Sequence, residues 1–266
     1  MSARTMPLLM TEIPVIVTRP AAQAVELSRR IAAIGRQVVQ FPLLEILPTP
    51  DPVRLRETLS EVERYALVAF VSPNAVDAAL AVRPDWPCRI PLAVVGEGSR
   101  AALARHGLDE TRCTIYSPRD PERSDSETLL TELDLPALAG RDVLIVRGET
   151  GRELLGDALR AAGVRVTPLA AYRRVAPEWT SARRGELMRL LAGQSDWIVT
   201  SSEALRFLLA MVEQLGHASY VAKMQQQQLI VPHMRIAETA RSLGFTRIVQ
   251  TRSGDDGLFA ALQSLS

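Results

Sequence analysis

Seven times along the chain, a short run of apolar and often β-branched residues gives way to a few small or polar positions, then to a segment with helical spacing. Four of these units are Val15 to Pro20 before residues 21–34, Val68 to Asn74 before 75–82, Leu92 to Gly98 before 99–106, and Val143 to Gly148 before 151–162. The others are Trp197 to Ser202 before 203–212, Leu229 to Met234 before 235–243, and Ile248 to Asp256 before 257–265. Strands alternating with helices in this way predict α/β architecture with doubly wound parallel sheets. Residues 66–71 are apolar without alternation, as in a strand covered on both faces, whereas Leu154, Leu155, Ala158, Leu159 and Ala162 form one stripe of a helix. Gly35, Gly107, Gly163 and Gly244 each close a helical segment ahead of a strand, where a left-handed residue ends the helix.

Two segments break the rhythm, residues 38–48 and 164–177. Each follows a capping glycine, carries prolines that keep it extended, and outlasts an ordinary strand. They read as paired crossings, 42–48 and 172–177, between two lobes. Residues 13–41 and 178–266 then form one discontinuous lobe, residues 49–171 form the other, and a cleft is expected between them. Residues 1–12 read as a flexible N-terminus. Residues 118–126 read as a polar loop, and the glutamines 225–228 as a surface connection.

Composition narrows the chemistry. The 266 residues carry 31 Lys plus Arg against 30 Asp plus Glu, so no global field draws the chain to nucleic acid or an anionic membrane. Lys223 is the only lysine, which disfavours Schiff-base and Walker-type chemistry. Cys88 and Cys113 show no metal-ligand spacing, nor do His106, His217 and His233, so neither zinc nor a disulfide framework is expected. The apolar stretch at residues 6–10 is too brief for a secretory signal, and no run approaches the roughly 18 residues of a membrane span. A reducing cytoplasm is the expected compartment. No long apolar edge or heptad demands an oligomer, which reads as a monomer.

In open parallel sheets, ligands bind beyond the carboxyl ends of the strands, where helix N-termini offer backbone N–H groups and positive dipole ends. The polar residues of the seven units collect at that edge: Thr18 and Arg19; Ser72 and Asn74; Gly96, Gly98 and Ser99; Arg147, Gly148 and Thr150; Thr200, Ser201 and Ser202; Met234 and Arg235. The simplest role for such hydroxyls is N-capping, at about 1 kcal/mol each. Caps alone do not call for Arg19, Arg147 and Arg235 beside the turns, and guanidinium groups match carboxylates or phosphates. Gly96 to Ala101 fits the GxGxxA dinucleotide fingerprint, but the following strand ends at Tyr116-Ser117 rather than in the acidic residue a nicotinamide enzyme requires. No GxSxG elbow is present, which disfavours a hydrolase. Asp255 and Asp256 precede the last helix and read as acids on its positive end. Tyr172, flanked by Arg173 and Arg174 in the second crossing, is expected at the mouth of the cleft. A phenol there can protonate a leaving oxygen or simply pack between elements.

Taken in order, these segments resemble one family. They are Thr-Arg-Pro at residues 18–20, Phe-Pro-Leu-Leu-Glu-Ile at 41–46, Ser-Pro-Asn-Ala at 72–75 and Val-Gly-Glu-Gly-Ser at 95–99. They continue with Val-Arg-Gly-Glu-Thr-Gly-Arg-Glu-Leu-Leu at 146–155, Leu-Ala-Ala-Tyr-Arg-Arg at 169–174 and Arg-Ile-Ala-Glu-Thr-Ala-Arg-Ser-Leu-Gly at 235–244. The set is similar to the uroporphyrinogen-III synthase family from about Ile13 to Leu265. No single motif carries the likeness; the ordered set does.

The resemblance implies two flavodoxin-like lobes joined by a two-stranded crossing, and a lyase without a cofactor. It implies closure of hydroxymethylbilane to uroporphyrinogen III, with loss of water and inversion of ring D, usually explained through a spiro-pyrrolenine intermediate. Tyr172 matches the family's favoured proton donor. Ser72, Ser99, Thr200 and Ser202 match hydroxyls near the substrate, and Arg235 and Ile236 occupy a turn whose backbone is expected to hold a carboxylate. Thr18, Arg19, Asn74, Gly98, Arg147 and Gly148 complete the expected substrate-binding set. His233-Met234 departs from the smaller or hydroxyl residues expected there. The resemblance leaves room for a transient contact with hydroxymethylbilane synthase. Two alternatives of other classes are a dinucleotide-dependent oxidoreductase and a two-lobed ligand-binding module without turnover.

Overall fold

The computed structural model describes residues 13–119 and 126–265. The expected flexible N-terminus and most of the polar loop at 118–126 lie outside the described residues. In chain order the elements begin with β1 (Val15–Val17), α1 (Ala21–Ala33), β2 (Val38–Gln40), β3 (Glu45–Pro48), α2 (Pro52–Ser60), β4 (Leu67–Phe70), α3 (Pro73–Val82), β5 (Leu92–Val94) and α4 (Glu97–Arg105). They continue with β6 (Ile115–Tyr116), α5 (Ser126–Thr131), α6 (Leu135–Leu138), β7 (Asp142–Gly148), α7 (Leu154–Ala161) and β8 (Arg165–Val175). The chain closes with α8 (Ser181–Leu190), β9 (Asp196–Ile198), α9 (Ser202–Glu213), α10 (Ala218–Gln225), β10 (Gln228–Val231), α11 (Met234–Ser242), β11 (Arg247–Gln250) and α12 (Gly254–Ser264).

The chain divides into two compact units. The first takes in the described residues up to Glu45 together with those from Ala176 onward, and the second is Ile46–Val175. The first holds a five-stranded sheet of order β11-β10-β9-β1-β2, in which the N-terminal strand β1 pairs in parallel with β2 on one side and β9 on the other. The second holds a six-stranded sheet of order β3-β8-β7-β4-β5-β6, with β4 parallel to both β5 and β7. Chain direction across each sheet therefore reverses at one place, between β1 and β9 in the first and between β4 and β7 in the second. Such switch points open a crevice at the carboxyl edge.

Both faces of each sheet are covered. In the second unit Val68 and Phe70 point into a cluster with Leu55 and Leu59 of α2 and Val76 and Leu80 of α3, while Leu67 and Ala69 point into another with Leu129 of α5 and Leu155 and Leu159 of α7. In the first, Ile16 meets Leu205 and Leu208 of α9, and Val15 and Val17 meet Leu27 and Ile31 of α1. Period-two alternation sorts neighbours onto opposite faces, and burial of both faces removes the polar half of the pattern. Gly35, Gly107, Gly163 and Gly244 all take positive φ, between 74° and 84°, at the helix exits.

Two expectations are corrected. Cys88 and Cys113 form a disulfide, with Cα atoms 4.7 Å apart. One strand–helix unit separates them, and that spacing brings the approaches to the parallel neighbours β5 and β6 side by side. The glutamine run is a surface connection only in part, since Gln226 is exposed but Gln227 is not. Gln227 is buried, with Oε1 accepting from Ser195 N at 2.7 Å and Nε2 donating to Gly193 O at 2.9 Å, so one side chain satisfies two backbone groups of a turn. Among the described residues, no helix is long and apolar enough to cross a membrane.

Candidate functional site

In the second unit the switch point gathers Ser72 after β4, Arg147 and Gly148 at the end of β7, and Tyr172 on β8. A β-bulge sets the tyrosine. The β7–β8 register pairs Arg147 with Ala170 but Gly148 with Tyr172, so Ala171 is an extra residue on β8. Leu169, Ala171 and Tyr172 consequently all enter one core cluster, which strict alternation forbids. The Tyr172 ring lies over Gly148, where a Cβ would meet Cζ at 3.0 Å and Oη at 3.2 Å. Its carbonyl accepts from Glu149 N at 2.8 Å. Expected at the mouth of the cleft, Tyr172 is only 4% exposed. Its Oη lies 3.1 Å from Ser72 Oγ, which caps α3 by accepting from Ala75 N at 3.2 Å.

The neighbouring residues divide by role. Asn74 sits half-buried in the first turn of α3, and Gly98 is exposed at the start of α4, where a Cβ would stand 3.3 Å from Pro73 Cγ. Close helix packing thus accounts for that glycine without a dinucleotide. Ser99 is buried at 2% exposure inside α4. Arg147 is likewise buried and paired with Glu153 at 2.5 Å.

In the first unit the switch point carries Thr18 and Arg19 after β1 and Thr200 to Ser202 after β9. Thr18 is buried and its hydroxyl donates to Ile198 O at 2.7 Å, tying β1 to β9. Arg19 is paired with Asp255 at 2.6 Å. Ser201, not its neighbours, caps α9, accepting from Glu203 N and Ala204 N. Thr200 and Ser202 are half-buried at the same edge, with Ser202 Oγ 3.0 Å from Thr239 Oγ1, whose own hydrogen goes to Arg235 O at 2.9 Å. Arg235 is exposed in the first turn of α11, a helix without a side-chain cap. Ile236 is buried, and its N–H donates to His233 O at 3.0 Å. His233 is exposed and approaches Ser253 Oγ at 3.3 Å through Nδ1, and partial desolvation of the ring pushes its imidazole below the ordinary histidine range. Met234 beside it is exposed.

Sequence reasoning missed the carboxylate partner Glu153, the role of Asp255 as the counterion of Arg19, and the bulge at Ala171. Glu153 stands six positions after Arg147, and an intervening turn makes that pair legible only in hindsight. Nothing in the composition of β8 signals the bulge.

The family model described as uroporphyrinogen-III synthase HemD matches residues 25–260. Among curated relatives, the uroporphyrinogen-III synthase of Escherichia coli (strain K12) is 33% identical, over 94% of this chain and 99% of its own length. That of Salmonella typhimurium is also 33% identical, with the same coverage of both chains. Among solved structures, the uroporphyrinogen-III synthetase of Helicobacter pylori superposes with a TM-score of 0.62 at 15% identity, covering 96% of this chain and 100% of that one. A mutant uroporphyrinogen III synthase from Thermus thermophilus gives 0.59 at 15% identity, covering 95% of this chain and 97% of that one. At such identity the superpositions bear on the fold alone.

Proposed function

The chain belongs to the uroporphyrinogen-III synthase family, and from that premise we propose that it closes hydroxymethylbilane to uroporphyrinogen III, with Tyr172 as the acid that releases water. The observation that carries the assignment of Tyr172 is the position of its phenol oxygen at the carboxyl edge of the second sheet, within 3.1 Å of Ser72 and over a residue without a side chain.

The chemistry asks for little more. Departure of the terminal hydroxyl as water needs one proton, and the resulting azafulvenium is an electrophile that a pyrrole carbon attacks unaided. A phenol within reach supplies that proton, a contribution of roughly 10²–10⁴-fold in rate for general acid catalysis. Ring closure ends with loss of a proton from carbon, which restores the phenol. Isomer choice is then a matter of how the bilane is held, because the uninverted end of the chain closes spontaneously to isomer I.

Holding falls to groups that match carboxylates. In the first unit we assign Thr200, Ser202, Arg235 and the uncapped N-terminus of α11 to this task, and in the second Asn74 and the backbone at Gly98. Thr18, Ser99, Arg147 and Ile236, which are buried, act behind them, as does Arg19 in its pair with Asp255. Gly148 acts through the room it leaves for the ring. A short-lived bilane also favours transient contact with hydroxymethylbilane synthase, and a soluble polycarboxylate substrate fits a cytoplasmic protein.

The test is to supply freshly generated hydroxymethylbilane, oxidise the products and separate the uroporphyrin isomers. Predominance of isomer III supports the proposal, and isomer I at the protein-free rate overturns it. Tyr172→Phe is expected to lower kcat by about 100-fold with the melting curve little changed.

A further inference from the structure

We infer that Ser72 is a positioning residue for the acid step: it turns the Tyr172 hydroxyl hydrogen outward and receives the charge left on the phenol oxygen. The inference rests on the assignment of Tyr172 as the proton donor.

Ser72 Oγ has two lone pairs and one hydrogen. One lone pair takes the Ala75 N–H at 3.2 Å as the cap of α3. Two arrangements then remain for the 3.1 Å contact with Tyr172 Oη. If the phenol donates to Ser72, its single hydrogen is turned into the protein and is not available to a substrate. If Ser72 donates, Oη is the acceptor and the phenol hydrogen points away from the core. Only the second arrangement leaves an acid.

The second arrangement also gains strength as the reaction proceeds. When the phenol proton passes to the departing hydroxyl, the carbon–oxygen bond breaks, its electron pair leaves with the oxygen as water, and Oη becomes a phenolate. A hydrogen bond donated to an oxyanion is shorter and stronger than one donated to a neutral phenol. Ser72 stands at the N-terminus of a ten-residue helix, and the positive end of that dipole lies behind the donated hydrogen. The proton released from carbon at ring closure returns to the phenolate, and both residues end as they began. The bulge at Ala171 and the bare surface of Gly148 hold the ring against this partner.

The experiment is a double-mutant cycle on the full chain. Ser72→Ala and Ser72→Gly, alone and with Tyr172→Phe, are assayed for kcat, KM, isomer ratio and thermal melt. Glycine is tolerated at an N-cap, so Ser72→Gly removes the hydroxyl even where alanine weakens the helix. The expected result is a kcat about tenfold lower with KM within about twofold in the wild-type background. No further loss is expected when Tyr172→Phe is already present, and Ser72→Thr is expected to recover most of the rate. Losses that multiply in the Tyr172→Phe background, or a rise in KM with kcat unchanged, overturn the inference while leaving Tyr172 as the acid. A wild-type rate in Tyr172→Phe alone overturns both.

Discussion

Replacing Gly148 by alanine tests the whole arrangement around the phenol with a single methyl group. The added Cβ stands 3.0 Å from Cζ, 3.2 Å from Oη and 3.3 Å from Cε2 of Tyr172. Carbon atoms rest at about 3.5–4.0 Å, so the ring must retreat by roughly 0.5 Å or the two strands must part. Neither is free, because the ring is buried against the core cluster of the second unit and β7 is locked to β8 along its length. Overpacking of this kind costs about 1–3 kcal/mol, equivalent to a fall in Tm of roughly 2–12 °C. The rate is expected to suffer as well. A misplacement of about 1 Å can cost about 10²-fold, and half of that points to a kcat lower by about tenfold, with KM little changed. Calorimetry and isomer-resolved turnover read both quantities. The control is Tyr172→Leu, which lacks Cζ and Oη, and in that background Gly148→Ala is expected to cost nothing further. Equal destabilisation in both backgrounds, or a Gly148→Ala variant with unchanged Tm and kcat, would refute the steric reasoning.

Three other perturbations address the scaffold. Arg36 and Asp196 form a 2.6 Å ion pair with side chains only 13% and 10% exposed, so Arg36→Met is expected to lose about 3 kcal/mol in urea unfolding and Arg36→Met/Asp196→Asn to recover most of it. Closing the 25-residue separation between Cys88 and Cys113 is worth about 3.5 kcal/mol of chain entropy, so a reductant should lower the stability of the second unit by up to that amount and raise the titratable thiols from none to two; two free thiols without reductant would contradict the bond. Partial desolvation lowers the folded pKa of His233 below its unfolded value of about 6.5, so its contribution is present above that value and is lost as pH falls through the folded one. Relative to His233→Gln, the wild type should lose stability as pH falls from above about 6.5 through the folded pKa, and parallel pH profiles would dismiss the effect.

Much of the fold was legible because its signals are local. Strands covered on both faces appear as continuous apolar runs, and helices exit through glycines that the backbone does place at positive φ. Helix α2 stands outside the seven repeated units although Asp51-Pro52 is a cap followed by a first-turn proline and Leu55 and Leu59 lie one turn apart. Helix α8 gave less to read, since Leu187 is its only buried residue. The site was legible as an edge and not as a set of contacts. Ser72 and Tyr172 are 100 positions apart, and their pairing depends on a bulge that has no residue signature. Arg19 and Arg147 looked like free cations because their partners arrive from a distant helix and a following turn. Hydroxyls were harder still. Of the serines and threonines at these edges, Ser72 and Ser201 cap helices and Thr18 bridges strands, roles that identical residue types conceal in a sequence.

The discontinuity of the first unit bears on how the protein is made. Strand β1 lies inside its sheet between β2 and β9, and its register with β9 sets Val15 opposite Asp196. A nascent chain emerging from the ribosome therefore carries β1 with one side unpaired until β9, some 180 residues after it, has been translated, whereas every strand of the second sheet is in hand once β8 has emerged. The order of assembly is thus written into the connectivity, second unit before first. The exposed side of β1 during that interval is the stretch on which a chaperone or a misfolded partner has longest to act.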